Sequence, residues 1–539
     1  MNDLEVRFKN RHLLSREDRI QLDRELQIIR PDFLIPYVPK WWWWRRCPVD
    51  VLIVCDGGLN FDTGAFGLSE FLTAFNELEA TTWVNYRVTL AHRGVIINST
   101  NPVVINHIGS FKFDTSVNLN DFDQVWLFAI DPGNPISASE LNAIESYMDG
   151  GGGLFATGDH GWLGNGMCGS ITRVKDMRYW NDFPSNNNLT NEVSMGGQRR
   201  NDTNKPQPGS AFANDFHLQS DAYPQTIAVR TFGSGMPHPL LSIPTSIRPS
   251  GIIDIMPDHP HEGECKPETV FTVNSVSIPT QIIATSFVPG GSTSGVKAPT
   301  QPHCFPSISV WDGRPANAGR IVIDSTWHHF VNVNLNGIGN PSGYTGLTTS
   351  DFEVIRRYFM NIATWMSRHQ FFFCWWVYAV HDLLENSQIV EASLDNPELK
   401  LDQITLADLN SIGGLAEEEL ATRLNPAAAR SFLCEVVKQY QPNFAELLDI
   451  WTPRTKEKDP VKSEYYQNWF NLDLILWTSV GAGFAALRNE DKFRTGEIEE
   501  ENLKHLGEVF GKGVDYGYNV ALDNLNKSIN RFRRRVKAE

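Results

Sequence analysis

The sequence predicts an α/β fold with a doubly wound, mainly parallel sheet, followed by an all-helical region. From residue 51, short β-rich apolar runs alternate with segments of helical periodicity, which is typical of βαβ units. Acidic or histidine residues directly follow several of these runs. From residue 369 onward, apolar stripes of helical spacing recur without a convincing strand. The 539 residues suffice for more than one hydrophobic core.

Four segments predict the first part of the sheet. Val51–Cys55 is a continuous apolar run, as expected of a strand that is buried on both faces. A helix is expected from about Phe66 to Leu78, because its apolar residues recur every three or four positions. Arg87–Ala91 and Gln124–Ile130 predict the next two strands.

A capping box at Ser137–Glu140 predicts the start of the next helix. The glycines from Gly150 to Gly153 predict its end. The strand Leu154–Thr157 follows and breaks at Gly158. This order places the glycine-rich strand near the centre of the predicted sheet.

A long insertion of about residues 161–318, rich in Gly, Pro and Asn, precedes the return strand Arg320–Asp324. Within the insertion, Ile171–Asn214 is expected to form a long loop beside the site, with a lid as the favoured interpretation. A second capping box, Ser350–Glu353, predicts the helix that closes the α/β region.

Three regions are expected. Residues 1–46 form an N-terminal extension with a Trp-rich arm, 47–368 the α/β domain and 369–539 a helical domain. Trp41–Trp44 cannot all face one way, so they pack against another domain or a subunit, or they form an exposed patch for a protein partner. The helical domain is a second candidate surface for a protein partner or a homo-oligomer.

Charge and composition indicate where the protein is located and which classes of partner it is expected to bind. The net charge of −16 disfavours contact with nucleic-acid phosphates. Seven scattered cysteines and an N-terminus without an apolar signal region favour a cytoplasmic location. The most apolar stretches, Phe371–Val380 and Leu472–Leu487, are shorter than the roughly 20 residues that cross a bilayer, so no membrane association is expected.

The residues after the predicted strands form the candidate site, because ligands of open α/β sheets bind outside the carboxyl ends of the strands. Asp159 and His160 follow one strand, and Asp324, His328 and His329 follow another. Carboxylates can orient and charge imidazoles, so these residues are candidates for general acid–base catalysis. The alternative is that each aspartate only caps the turn after its strand, an explanation that suffices for the strand-end residues Asp56 and Asp131.

A second cluster lies within the insertion. Asp258, His259, His261 and Glu262 supply the imidazole and carboxylate ligands that zinc and related divalent metals prefer. Neighbouring prolines place the cluster on a loop, without the His-Glu-x-x-His spacing of a helix-borne zinc site. One hypothesis is a divalent metal such as zinc at these four residues. The other is a structural turn whose side chains bond backbone groups.

The sequence gives less support to catalysis by a cysteine nucleophile and to nucleotide binding. Cys168 and Cys265 do not lie on a strand-to-helix elbow of Gly-x-Ser/Cys-x-Gly type, and they are expected to be buried, inert thiols. Gly57–Gly58 and Gly150–Gly153 match neither the dinucleotide fingerprint nor the phosphate-binding loop. No nucleotide cofactor is therefore expected.

Residues of about 50–368 resemble the class I glutamine amidotransferase-like superfamily, and within it the ThuA-like (trehalose-utilisation) proteins. The matching segments, in order, are Asp123–Phe128, Gly150–Ala156, His160, His238–Leu240 and Gly319–Ile323 with a histidine downstream. The resemblance implies a flavodoxin-like or amidotransferase-like sheet, with His160 and either His328 or His329 in the site. Amidotransferases carry a nucleophilic cysteine at the turn where Asp159 stands here, which argues against a Cys-dependent glutaminase.

Two functions fit these patterns. The first is a hydrolase-like enzyme that acts on an unidentified small-molecule substrate at a His/Asp site, with or without a divalent metal. The second is a catalytically inactive amidotransferase-like domain that serves as a sensor or protein-interaction scaffold. The first makes a sharp spatial prediction: His160 and Asp324 belong to one site, because both follow buried strands of one parallel sheet and emerge at its same edge, about 5 Å or twice that apart.

Overall fold

The computed structural model describes residues 47–82, 84–159, 163–180, 224–232, 235–257, 263–288, 303–338, 347–368, 400–442, 472–487 and 500–536, and the single residues 379, 383 and 451. The Trp-rich arm lies outside the described residues, as do residues 181–214 of the predicted lid.

A nine-stranded sheet forms the centre of the α/β region, and six of its strands are parallel. They are β1 (Cys47–Cys55), β2 (Val84–His92), β3 (Val104–Ile108), β4 (Gln124–Ala129), β5 (Gly153–Gly158) and β13 (Ile321–Asp324). Their spatial order is β3-β2-β1-β4-β5-β13. The predicted doubly wound, mainly parallel sheet is confirmed, and β5 lies at its centre with β13 as its parallel neighbour.

The insertion extends this sheet with three antiparallel strands, for which the sequence predicted none. These are β12 (His303–Trp311), β11 (Gln281–Val288) and β7 (Ala228–Val229), which continue the order beyond β13. Two small sheets also come from the insertion: β6 (Pro224–Thr226) pairs with β8 (Ile255–Pro257), and β9 (Val270–Val273) pairs with β10 (Val276–Pro279). Part of the insertion therefore belongs to the core of the fold.

Helices cover both faces of the sheet. They are α1 (Ser69–Thr82), α2 (Ala138–Asp149), α3 (Asn165–Cys168), α4 (Val174–Met177), α5 (Asn332–Asn336) and α6 (Thr349–Met366). Alternate residues of β1 enter opposite cores: Val51 and Ile53 belong to one, Leu52 and Val54 to the other. This two-sided burial explains why the parallel strands are continuous apolar runs in the sequence.

The two predicted capping boxes have different outcomes. At α2, Ser137 accepts a hydrogen bond from the Glu140 amide and the Glu140 side chain accepts one from the Ser137 amide, as predicted. The predicted box at Ser350–Glu353 was wrong. The N-cap of α6 is Thr348, whose hydroxyl accepts from the Asp351 amide at 3.1 Å. Thr348 is extended and has an acidic residue three positions later, so it competes successfully as the cap.

The helical region contains α7 (Leu406–Arg423), α8 (Pro426–Lys438), α9 (Leu472–Leu487) and α10 (Glu500–Val536). The apolar helix α9 packs between α7 and α10. Asn425, the N-cap of α8, donates to Asn361 of α6 at 3.0 Å, which joins the helical region to the α/β region. No described helix combines the length and apolar content that a bilayer crossing requires.

Candidate functional site

Two Asp–His pairs lie at the carboxyl ends of the neighbouring strands β5 and β13. Asp159 follows β5 directly, and its Oδ1 lies 3.3 Å from Nε2 of His328. Asp324 ends β13, and its Oδ1 lies 2.9 Å from Nδ1 of His329. Four of the five residues predicted as catalytic are thus brought together at one sheet edge.

A short 3₁₀ turn, Trp327–His329, directs the two histidines to different partners. The Thr326 amide donates to Asp324 Oδ1 at 3.2 Å, and the His328 amide donates to the Thr326 hydroxyl at 3.2 Å. These two consecutive caps reverse the chain directly after β13. The reversal carries His328 toward β5, while His329 stays under its own strand.

The Asp324–His329 pair is fully enclosed, with side-chain exposures of 0% and 1%. Asp324 Oδ2 also accepts a hydrogen bond from the hydroxyl of Tyr358, on α6, at 2.9 Å. Burial, and then the nearby Asp324 carboxylate, raise the pKa of Tyr358 well above its usual value. The carboxylate therefore joins a strand end, a turn and a helix through three donors.

The Asp159–His328 pair lies closer to the surface, although both side chains are largely buried. The His328 ring packs on the indole of Trp327 with ring centroids 4.2 Å apart and an interplanar angle of 32°. Trp327 in turn contacts Phe66, which is 56% exposed. An aromatic layer therefore separates this imidazole from solvent, and its outer ring is accessible.

The buried side chain of Arg178 hydrogen-bonds to the backbone at the ends of both strands. The guanidinium of Arg178 donates from Nη2 to the Asp159 carbonyl and from Nε to the Ser325 carbonyl, the latter at 2.9 Å. It also lies over the Trp180 ring at 4.4 Å, and burial lowers its pKa to about 10. A Cβ at Gly263 would collide with Arg178 Nη2 and the Ser325 carbonyl, so this position needs glycine.

Neither the role of Arg178 nor that of Tyr358 was predicted from the sequence. Arg178 follows the short helix α4, with no motif around it, and reaches a strand end far away in the chain. Tyr358 does have a weak signal, because it adjoins the apolar stripe of α6 that packs on the sheet. A buried tyrosine needs a hydrogen-bond partner, so an acceptor opposite that stripe could have been expected.

Asp56, the residue after β1, bonds the backbone that follows the neighbouring strand β4. Its Oδ1 accepts from the backbone amides of Ile130 and Asp131, at 2.6 and 2.9 Å. The sequence predicted a cap on the turn after its own strand; instead, the carboxylate caps the chain that leaves β4. Burial is the main cause that raises the pKa of Asp56 to about 7.

The cysteines near the site are buried. Cys168 lies on α3, and the thiol of Cys265 donates to the Ser307 carbonyl at 3.4 Å. Burial raises the pKa of both thiols well above the usual value, which disfavours the nucleophilic thiolate.

His238, part of the motif that carried the resemblance, has a structural position. Its Nδ1 accepts from the Leu240 amide at 3.3 Å, and its ring packs against Trp365 at 5.0 Å. Burial lowers its pKa to about 3, so the ring is neutral at ordinary pH.

His160 and the proposed metal ligands Asp258, His259, His261 and Glu262 lie outside the described residues. The pairing of His160 with Asp324 and the metal hypothesis therefore stay predictions. Among the residues that the structure does describe, no group of three or more His, Cys, Asp and Glu side chains is arranged to hold a metal ion.

No family model and no curated protein sequence matches the chain. Two solved structures that it is similar to are described as ThuA-like proteins. One, from Bacteroides uniformis, has 12% identity and a TM-score of 0.25, with 58% of this chain and 91% of that chain covered. The other, from Parabacteroides merdae, has 11% identity and a TM-score of 0.27, with 59% and 90% covered.

Proposed function

We propose that the chain is a hydrolase-like enzyme whose acid–base pair is Asp159 and His328. The observation that carries this proposal is the 3.3 Å approach of Asp159 Oδ1 to His328 Nε2 at the carboxyl edge of the sheet. A carboxylate beside an imidazole orients the ring and stabilises its protonated form. The imidazole can then take a proton from water and return it to a leaving group.

In this proposal His329 and Asp324 are positioning residues. Their pair is sealed from solvent, and Asp324 also holds the Thr326 amide at the start of the turn that carries His328. Loss of either side chain would displace the turn. Arg178 acts in the same way, because its guanidinium bonds the backbone at Asp159 and at Ser325.

We further propose that Asp258, His259, His261 and Glu262 bring a divalent ion such as zinc to this edge. Both flanks of their segment support this placement. Strand β8, which ends at Pro257, contacts the turn Trp327–His329, and Gly263 lies against the Ser325 carbonyl. When bound, zinc would lower the pKa of a coordinated water to near neutrality.

The acid–base proposal is tested with nitrophenyl esters, anilides, phosphate esters and glycosides as chromogenic substrates. For a substrate that is turned over, Asp159→Asn and His328→Gln should each reduce kcat by about 10²–10⁴-fold, the usual contribution of a positioned acid or base. His505→Gln, at an exposed histidine of α10, is the control and should keep full activity. Undiminished activity in both site variants would overturn the proposal.

The metal proposal has a separate readout. Elemental mass spectrometry of the dialysed protein, before and after addition of zinc, should find a stoichiometric divalent metal in the full chain. The double substitution His259→Ala with His261→Ala should remove it. A protein that neither holds nor takes up metal would refute this part and leave the acid–base pair untouched.

A further inference from the structure

A pocket lined by arginines lies at the opposite end of β13 from the acid–base pair. Arg320 directly precedes β13, whereas Asp324 is its last residue, so the two ends are about 13 Å apart at roughly 3.3 Å per residue. The pocket opens between α6 of the α/β region and the α7–α8 junction of the helical region. Its lining includes Arg314, Arg320, Arg357, Arg368 and Arg423.

The charge of this lining contrasts with the rest of the molecule. Five arginines line the pocket together with one acidic residue, Glu435, although the whole chain carries a net charge of −16. Arg320 pairs with Asp312 at 2.8 Å and Arg423 with Glu419 at 3.8 Å, whereas Arg357 shares its partner Glu353 with Arg356. The residues that line the pocket therefore bring several guanidinium groups together beside a single carboxylate.

Arg368 presents buried hydrogen-bond donors at this pocket. Its Nε and Nη2 are buried, and neither has a hydrogen-bond partner among the described residues. The guanidinium lies 5.3 Å over the Tyr147 ring, and it also interacts with the Tyr147 hydroxyl and the Asp123 carboxylate. Buried cationic donors without acceptors are costly, so an acceptor from a ligand would be favourable here.

The remaining lining is largely apolar and comes from both regions of the chain. Trp365 and Met360 contribute from α6, while Leu424 and Phe432 contribute from the helical region. Apolar walls with a few convergent charged groups are typical of small-molecule sites. Guanidinium groups bind carboxylates and phosphates in bidentate fashion.

We propose that this pocket binds a small organic anion, with its carboxylate or phosphate at Arg357 and Arg368 and its apolar body against Trp365, Leu424 and Phe432. Because the lining spans both regions, a bound anion would stabilise their junction. The site is separate from the carboxyl edge, so the proposal does not depend on the acid–base pair.

Calorimetry on the full chain tests the proposal with matched probes. Octanoate and phenyl phosphate carry both the anionic group and the apolar body. Acetate and inorganic phosphate lack the body, and octanol lacks the charge. We expect at least one of the two complete probes to bind at least tenfold more tightly than its partial counterparts, and the better one identifies the preferred anion. Binding of neither complete probe would overturn the proposal.

Two variants locate the site. Arg357→Gln should weaken the better probe at least tenfold, whereas Arg356→Gln should change its affinity less than twofold. The control is matched, because Arg356 also bonds Glu353 but does not line the pocket. Equal weakening by both variants would refute the site. If Arg357→Gln does not fold, Ala428→Phe replaces it: filling the pocket should abolish binding, and unchanged affinity would refute the proposal.

Discussion

His328 and His329 are adjacent in sequence, yet their environments differ. His329 lies in a sealed cluster in which Asp324 receives hydrogen bonds from an imidazole, a phenol and an amide. His328 has the longer contact, with Asp159, beneath the aromatic layer of Trp327 and Phe66. An Asp–His pair at a strand end can therefore have different surroundings in the same sheet. Burial and the number of donors around the carboxylate distinguish the Asp324–His329 pair from Asp159–His328, the pair proposed to be reactive.

The topology explains why the two pairs diverge. Asp324 still belongs to β13 and lies under α6, so a helix closes over it and supplies Tyr358. Asp159 lies one residue beyond β5, in the turn that leaves the sheet. In a doubly wound sheet, the helices cover the strands and leave the space beyond the strand ends open. One residue of difference along the strand therefore distinguishes a fully sealed carboxylate from one that lies closer to the surface.

The largest expected effect comes from Asp324→Ala. This change leaves the Tyr358 hydroxyl, the His329 imidazole and the Thr326 amide without their acceptor in a buried place. We expect the free energy of unfolding to fall by about 3–5 kcal/mol, the range for breaking a buried charged cluster. Urea denaturation followed by circular dichroism measures it.

The matched variant is Asp159→Ala, at the neighbouring strand end. It should cost only about 1 kcal/mol, the value of one ordinary hydrogen bond, because its carboxylate is less enclosed. If Asp159→Ala and Asp324→Ala lowered the free energy of unfolding equally, both Asp–His pairs would be structural.

Asp56 is a third strand-end aspartate, and its effect on stability depends on pH. Its raised pKa, about 7, means that the folded protein keeps a proton that the unfolded chain releases above about pH 4. Stability should therefore decrease as pH rises from about 4 to 7, by up to about 4 kcal/mol from this group.

Asp56→Asn tests this dependence, because asparagine keeps an oxygen for the amides of Ile130 and Asp131 and removes the ionisation. Relative to the natural protein, the variant should gain stability between pH 5 and pH 8, measured by denaturant unfolding at each pH. A difference that stays constant over this range would show that Asp56 does not titrate there.

Five of the six parallel strands were predicted from the sequence, whereas the partly exposed edge strand β3 and the antiparallel strands were not. β1, β4, β5 and β13 are buried on both faces, and they are continuous apolar runs. Strand β12 contains Pro306, a residue that normally argues against an inner strand. The Pro306 carbonyl accepts a hydrogen bond from the Cys265 amide, and no local sequence pattern predicts this pairing.

The site was partly predictable for a similar reason. The rule that ligands bind beyond the carboxyl ends of strands selected Asp159, Asp324 and the two histidines. It could not assign which histidine pairs with which aspartate, because the two consecutive caps after β13 decide that. Contacts from distant parts of the chain, such as Arg178 and Tyr358, depend on tertiary packing alone.

Tyr358→Phe tests a single hydrogen bond of the sealed cluster. The substitution removes one hydrogen bond to a buried carboxylate and keeps the ring, so it should cost about 2 kcal/mol of unfolding free energy. Tyr147→Phe is the matched control, because Tyr147 is equally buried and its hydroxyl donates to the neutral Gly153 carbonyl at 3.2 Å. That control should lower the free energy of unfolding by about 1 kcal/mol.

Burial also raises the pKa of Tyr358. Above about pH 10 only the unfolded chain ionises at this residue, so the stability that the neutral Tyr358 hydroxyl contributes is lost there, and Tyr358→Phe should remove that alkaline loss. If Tyr358→Phe instead left stability unchanged and reduced turnover of a substrate, Asp324 and His329 would take part in the chemistry, and the division between a structural and a reactive pair would be wrong.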